Sequence, residues 1–237
     1  MAHRRLIVSL EHVAELRDRG PGWQPDPVAV AALARLGGAD GVSLHLRMDR
    51  TREQERDARL LRETLERGFA VDISPEPQLL RAALDVRADR VTLVEFRPGE
   101  SRAVEGVDLL TRMATLGEFL RAVDEAKLES CVCVEPDLDQ IKAAHRLGAH
   151  GVRLHCGRVG RPGTDVEREL RRIADAARLA RKLGLSVCAG GGVDYDNARL
   201  LRDLDDLQLF QVGHALVSRA LLVGLERAVR EMRALVD

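Results

Sequence analysis

Aromatic residues make up only 3% of this 237-residue chain, with a single tryptophan and a single tyrosine. Its 45% hydrophobic content therefore has to build an aliphatic core. No charge of one sign dominates. With 37 basic and 38 acidic residues the formal net charge is -1, which excludes a bulk electrostatic role on nucleic acid or acidic membranes, local basic clusters aside. No apolar run approaches the roughly 18 residues of a membrane span. The apolar stretch after Met1-Ala2-His3-Arg4-Arg5 is too short for a signal peptide, so a cytoplasmic location is expected. Cysteine is sparse, and Cys131, Cys133, Cys156 and Cys188 all fall in or beside predicted strands. Cys131 and Cys133 share one strand face, but a ligand site would need further Cys or His spaced to converge with them. They read as core thiols, and no metal is expected. No Pro- or Ser-rich linker or low-complexity tract divides the chain, so residues 1–237 read as one domain. That length suits a (β/α)8 barrel, typically about 250 residues, and can bury well over half of the unfolded surface without staples.

What the chain does have is repetition. Gly38-Ala39-Asp40-Gly41-Val42-Ser43-Leu44-His45 is echoed by Gly148-Ala149-His150-Gly151-Val152-Arg153-Leu154-His155, with Arg47 and Arg158 following. A barrel of repeated βα units places polar groups in this way at its C-terminal strand ends, where such barrels keep their chemistry. Convergence on a common turn pattern is the alternative. Apolar runs predict strands at Leu6–Leu10, Gly41–His45, Ala70–Ile73, Arg90–Val94, Ser130–Val134, Gly151–His155, Ser186–Ala189 and Leu207–Val212. Amphipathic segments predict helices at Pro27–Leu36, Arg52–Arg67, Pro77–Val86, Leu116–Ala126, Asp137–Leu147, Asp165–Leu183, Tyr195–Leu204 and Ala215–Val236. Glycines at 37–38, 68, 148 and 184 suit left-handed helix ends. The alternation predicts a TIM barrel with extra short helices. The competing doubly wound sheet lacks a G-x-G-x-x-G turn after the first strand. The polar segment 97–115 reads as a lid or an extra short helix.

The predicted strand ends supply the candidate site. They carry Ser9, Glu11 and His12; His45, Arg47, Asp49 and Arg50; Asp72; Glu95 and Arg97; Glu135; Arg153, His155 and Arg158; Gly190, Gly191 and Gly192; and Gly213 with His214. His45 can shuttle protons near neutral pH, and a partly desolvated Asp72 can act as a carboxylate base. The glycines after the seventh and eighth strands suit phosphate, because backbone N–H groups and a helix N-terminus reach an anion there; tight turns alone would also explain them. Arg17, Arg19, Arg47 and Arg50 can supply charge at the mouth. His155 reads more weakly, since Arg153 and Cys156 beside it suit packing and ion pairing equally well, and His145 and His150 read as surface residues.

From Leu6 to Leu235 the chain resembles the pyridoxine 5′-phosphate synthase family of vitamin B6 biosynthesis. The resemblance lies in Val8-Ser9-Leu10-Glu11-His12-Val13-Ala14-Glu15-Leu16-Arg17, Pro25-Asp26-Pro27-Val28, Gly38-Ala39-Asp40-Gly41 and His45-Leu46-Arg47-Met48-Asp49-Arg50. It continues in Gln140-Ile141-Lys142-Ala143-Ala144, Leu183-Gly184-Leu185, Ala189-Gly190, Val212-Gly213-His214-Ala215 and Arg219-Ala220. It implies a barrel enzyme, a homo-oligomer built from dimers up to an octamer. The implied reaction condenses 1-deoxy-D-xylulose 5-phosphate with 3-amino-2-oxopropyl phosphate and closes a pyridine ring with loss of phosphate and water, using no metal or redox cofactor. By the same resemblance His45 matches a catalytic histidine and Asp72 stands for a glutamate base. His12, Arg47, Gly190, Gly213 and His214 match substrate-holding positions, and Arg19 matches an arginine near the first phosphate. The chain departs from the pattern at Ser9 and Glu11 (Asn and Asp), Arg52 (His), Arg102-Ala103-Val104-Glu105-Gly106 (Thr-Thr-Glu-Gly-Gly), Arg153 (Glu) and Gly191 (a second catalytic His). Proton-transfer groups typically contribute about 10²–10⁴-fold each, so these departures predict that the chain makes pyridoxine 5′-phosphate poorly or not at all. They leave two alternatives open: a related condensation or cyclisation on another substrate, or a non-catalytic sugar-phosphate-binding protein.

Overall fold

The computed structural model describes residues 3–48, 51–95 and 106–237, with the side chains of 51–53 left out. The apolar runs become eight parallel strands that close on themselves in sequence order. They are β1 (Arg5–Ser9), β2 (Gly41–Leu46), β3 (Phe69–Ile73), β4 (Arg90–Leu93), β5 (Glu129–Val134), β6 (Gly151–His155), β7 (Ser186–Gly190) and β8 (Leu209–Val212). Val8 pairs with Val42 on one side and with Val212 on the other, which seals the ring. The chain thus forms a (β/α)8 TIM barrel. Every residue of β2, β3 and β6 is buried, as expected where helices cover the outside of a parallel sheet.

The helices are α1 (Glu11–Asp18), α2 (Pro27–Leu36), α3 (Thr51–Thr64), α4 (Pro77–Asp85), α5 (Met113–Glu125), α6 (Leu138–Arg146), α7 (Val166–Lys182), α8 (Ala198–Arg202), α9 (His214–Val223) and α10 (Leu225–Val236). Three of the starts carry an aspartate cap. Asp26 accepts from the Val28 N–H at 3.0 Å with Pro27 at the first helical position, and Asp137 and Asp165 cap α6 and α7 in the same way. Gly38, Gly68, Gly148 and Gly184 all take positive φ at the turns into the next strand, as the sequence suggests.

The structure differs from the helical expectations in three places. A helix that the amphipathic pattern did not predict, α1, begins at Glu11 just after β1, with no side-chain cap to announce it. The single helix expected over Ala215–Val236 is two helices broken at Gly224, whose φ of +82° interrupts the helical path. The segment expected as Tyr195–Leu204 is helical only over Ala198–Arg202. Residues 97–105 of the expected lid lie outside the described residues, and α5 begins at Met113.

The sequence echo has a steric basis. A Cβ on Gly41 would lie 2.2 Å from the Gly68 carbonyl oxygen, and one on Gly151 would lie 2.1 Å from Ser186 Oγ. In both copies a neighbouring strand therefore enters the sheet too close for any side chain. Because β2 and β6 stand four places apart in a ring of eight, His45, next to last in β2, and His155, last in β6, lie on opposite sides of one C-terminal face.

Alternation along the strands sorts the core. Val42, Leu44, Val71 and Ile73 face outward into a large apolar cluster with helix residues such as Leu61, Leu79, Leu116 and Ile173. Inside the barrel Ile7, Cys188 and Leu209 form a small separate cluster. The four cysteines are buried free thiols, and burial pushes Cys131 up to about 11 and Cys156 to about 12, so they stay neutral core groups.

Candidate active site

A cavity of about 110 Å³ opens at the C-terminal end of the barrel. Its floor is a polar layer that crosses the barrel. Arg153 on β6 donates from Nη1 to Asp72 Oδ2 on β3 at 2.7 Å, and both side chains are buried. Gln211 on β8 donates to the same oxygen at 2.8 Å and lies 3.0 Å from Ser43 Oγ on β2. Burial disfavours the Arg153 charge, but the Asp72 carboxylate beside it more than offsets this, so the guanidinium is held well above its ordinary value. Asp72 Oδ1, also buried, has no hydrogen-bond partner among the described residues and belongs to a side chain that lines the cavity. Gly190 makes room for this arrangement: a Cβ there would lie 2.7 Å from Arg153 Cδ.

Carboxylate–imidazole pairs form the walls. Glu11 lines the cavity and lies with Oε1 2.8 Å from His45 Nδ1, while His45 is itself only 3% exposed. Burial raises the Glu11 carboxyl, but the charge and hydrogen bond of His45, with weaker contributions from His12 and Arg153, hold it below the ordinary carboxylate value. His12 Nδ1 lies 3.0 Å from Glu15 Oε2, and its ring meets His214 edge-on at 5.4 Å between centroids. Across the mouth His155 Nδ1 is 3.4 Å from Glu135 Oε1. A wider hollow of about 500 Å³ shares His12 and His214 with the cavity and reaches Arg19 and α9.

Most of the expected site residues meet here. Ser9, Glu11, His12, Asp72, Arg153, Gly191, Gly192, Gly213 and His214 all line the cavity. Gly190 lies beneath it in β7. Arg47 is buried behind the wall, its N–H donating to Gln54 Oε1 at 2.7 Å and its Nη1 3.8 Å from Glu15 Oε1. Arg19 stands at the outer hollow only. Arg17 does not serve the mouth; it is buried against Asp57 and Asp18. Glu95 pairs with Arg112. Asp49, Arg50, Arg97 and residues 102–105 lie outside the described residues, as does the side chain of Arg52. Sequence reasoning missed Gln211 and Arg161. Gln211 carried a signal, as a polar residue in an apolar strand two places before Gly213; Arg161, in a loop, carried none.

Comparison with known proteins bears directly on this site. Residues 6–237 match the family described as Pyridoxal phosphate biosynthesis protein PdxJ. The chain belongs to the PdxJ family. Similar PdxJ proteins named pyridoxine 5′-phosphate synthase occur in Syntrophobacter fumaroxidans, 39% identical over 98% of this chain and 99% of the relative, and in Geotalea daltonii, 38% identical over 98% of both. Among solved structures, a 4-hydroxy-2-oxoglutarate aldolase/2-deydro-3-deoxyphosphogluconate aldolase from TTHB1 superposes with a TM-score of 0.65 at 15% identity, covering 98% of this chain and 94% of that one. A 3-keto-L-gulonate-6-phosphate decarboxylase from Vibrio cholerae gives a TM-score of 0.63 at 18% identity, covering 98% and 97%. At that identity these two show the barrel fold alone. Membership of the PdxJ family makes the chain an enzyme of the pyridoxine 5′-phosphate synthase kind. No helix among the described residues is long and apolar enough to cross a membrane.

Proposed function

We propose that this chain catalyses the pyridoxine 5′-phosphate synthase reaction, condensing 1-deoxy-D-xylulose 5-phosphate with 3-amino-2-oxopropyl phosphate. The observation that carries the reading is one small cavity lined by Glu11, Asp72 and Arg153, with the buried His45 behind its wall in contact with Glu11 at 2.8 Å. Bond formation at a ketone carbon turns its oxygen into departing water, so the ring closure needs groups that move protons at several oxygens and carbons. Glu11 and His45 act as one acid/base unit whose carboxylate end faces the substrate. Asp72 Oδ1 accepts a hydrogen bond from the substrate amine or hydroxyl. Arg153 cannot serve as a base; it stabilises negative charge that develops on an oxygen or phosphate. No observation in the site favours a different substrate or a purely binding role.

Phosphate binds, in this reading, at Gly190–Gly192 and at Gly213–His214. Gly213 caps the N-terminus of α9, where unpaired N–H groups and the helix dipole favour an anion. A Cβ at Gly213 would already lie 3.1 Å from Ser9 Cβ and 3.2 Å from His12 Cδ2. Gly213→Val is therefore expected to weaken pyridoxine 5′-phosphate binding by about 10- to 100-fold, the worth of one or two charged hydrogen bonds, without unfolding the chain. Calorimetric titration checks this, and unchanged affinity would place the phosphate elsewhere.

We further propose a homo-oligomer built from dimers, up to an octamer. Supporting it, Leu221 and Leu222 on α9 stay 75% and 79% exposed, an apolar pair that a second copy would cover. Phosphorylated substrates do not cross a lipid bilayer unaided, which supports a cytoplasmic location.

A further inference from the structure

We infer that His155 is a second catalytic acid/base residue of this site and that Glu135 is its positioning residue. The inference rests on the synthase reading and deepens it. His155 ends β6, opposite the strand that carries His45, and lines the same cavity although it is only 4% exposed. Its Nδ1 faces Glu135 Oε1 at 3.4 Å, and Glu135 is itself held by the Gly106 N–H at 3.3 Å and by Arg158 at 3.7 Å. A carboxylate this close to one ring nitrogen, at ion-pair distance without a hydrogen bond, supports the imidazolium, and the Nε2 edge of the ring lies against Gly191 and Gly157.

That edge sits in a slot cleared for it. A Cβ on Gly191 would lie 2.3 Å from His155 Cδ2 and 3.0 Å from Nε2, and a Cβ on Gly157 would lie 2.9 Å from Cε1. The φ of Gly157 lies outside the left-handed region, so close approach and not backbone freedom requires glycine there. A packing residue needs neither a half-buried carboxylate partner nor two side chains removed around its ring. The barrel thus carries two carboxylate–imidazole pairs, Glu11–His45 and Glu135–His155, on either side of the Asp72–Arg153 pair.

Two pairs suit a ring closure, which must both give and take protons. In the closing dehydration the His155 imidazolium gives its Nε2 proton to the hydroxyl derived from the carbonyl oxygen. The C–O bond breaks, the oxygen leaves as water, and a C=C bond forms as the adjacent ring carbon loses its proton to His155. The imidazolium is restored and no electrons are exchanged with any third party.

The charged groups around this ring are Glu135 and Arg158 at the end of β5 and beyond β6, Arg153 on its own strand, Asp72 on β3, and Arg161 in the loop that follows. The test is steady-state kinetics across pH with the two phosphorylated ketones on wild type, His155→Gln and Glu135→Gln, with inorganic phosphate affinity followed by calorimetry. His155→Gln is expected to lower kcat by about 10²–10⁴-fold and to remove one limb of the pH profile, with phosphate affinity kept. Glu135→Gln is expected to keep more activity and to move that limb to lower pH, because the imidazolium loses an opposite charge. A wild type that turns over while His155→Gln stays within about ten-fold of it with both limbs in place would make His155 a packing residue. An unmoved profile in Glu135→Gln would overturn the proposal even if His155→Gln failed to fold. A wild type with no turnover would overturn the synthase reading and this proposal with it.

Discussion

Replacing His45 by alanine is expected to lower kcat by about 10²–10⁴-fold, the usual worth of a positioned proton-transfer group, and to destabilise the fold at neutral pH. The second effect follows from Glu11. In the wild type burial raises its carboxyl, but His45 together with His12 and Arg153 holds it below the ordinary value. A carboxyl lowered on folding contributes stability that is fully present above its unfolded value and is lost as pH falls through its depressed folded value. Without His45 the burial effect is unopposed by its largest partner, the Glu11 pKa rises, and the charged form is penalised at neutral pH. Urea unfolding of wild type and His45→Ala should therefore show a stability gap at about pH 7 that narrows toward about pH 3. A gap independent of pH would mean that the pair is not coupled in this way, and unchanged kcat would remove His45 from the chemistry.

Removing the other charge centre is expected to cost stability first. Arg153→Met leaves Asp72 buried without its counter-ion, and breaking a buried pair from one side typically costs about 3–5 kcal/mol. For a chain of this size that is a fall in Tm on the order of 10 °C. Converting both partners, Arg153→Met with Asp72→Leu, removes the stranded charge and is expected to recover most of the loss. It should not recover turnover, because both Asp72 Oδ1 and the Arg153 charge are gone from the cavity. Thermal unfolding and kinetics on the single and double variants check the two halves separately. A double variant as unstable as the single one would show that the pair is not the source of the cost.

Much of the fold was legible because local chemistry and the overall architecture agree. The apolar runs, the aspartate caps and the glycines at 38, 148 and 184 each mark one boundary of a βα unit, and each does so within a few residues. The exceptions have physical causes. α1 follows β1 with no capping side chain, and Gly224 breaks a continuous amphipathic pattern by its φ alone. The site was legible as a set of strand ends but not as a set of pairs. Arg153 and Asp72 are 81 residues apart and meet only because the closed ring turns both side chains, from strands three places apart, into its interior. Glu11 was visible as a rim residue, but its hold on His45 depends on the turn from β1 into α1. Gly191, read from the sequence as the loss of a histidine, is instead the space into which the His155 ring fits.

The most direct test of the account is to incubate the purified wild-type chain with 1-deoxy-D-xylulose 5-phosphate and 3-amino-2-oxopropyl phosphate, without added metal or redox cofactor, and to measure pyridoxine 5′-phosphate and released inorganic phosphate together. Equal amounts of the two, appearing at a rate that His45→Ala lowers by about 10²-fold or more, are expected. Phosphate release without pyridoxine 5′-phosphate, or neither product, would contradict the account.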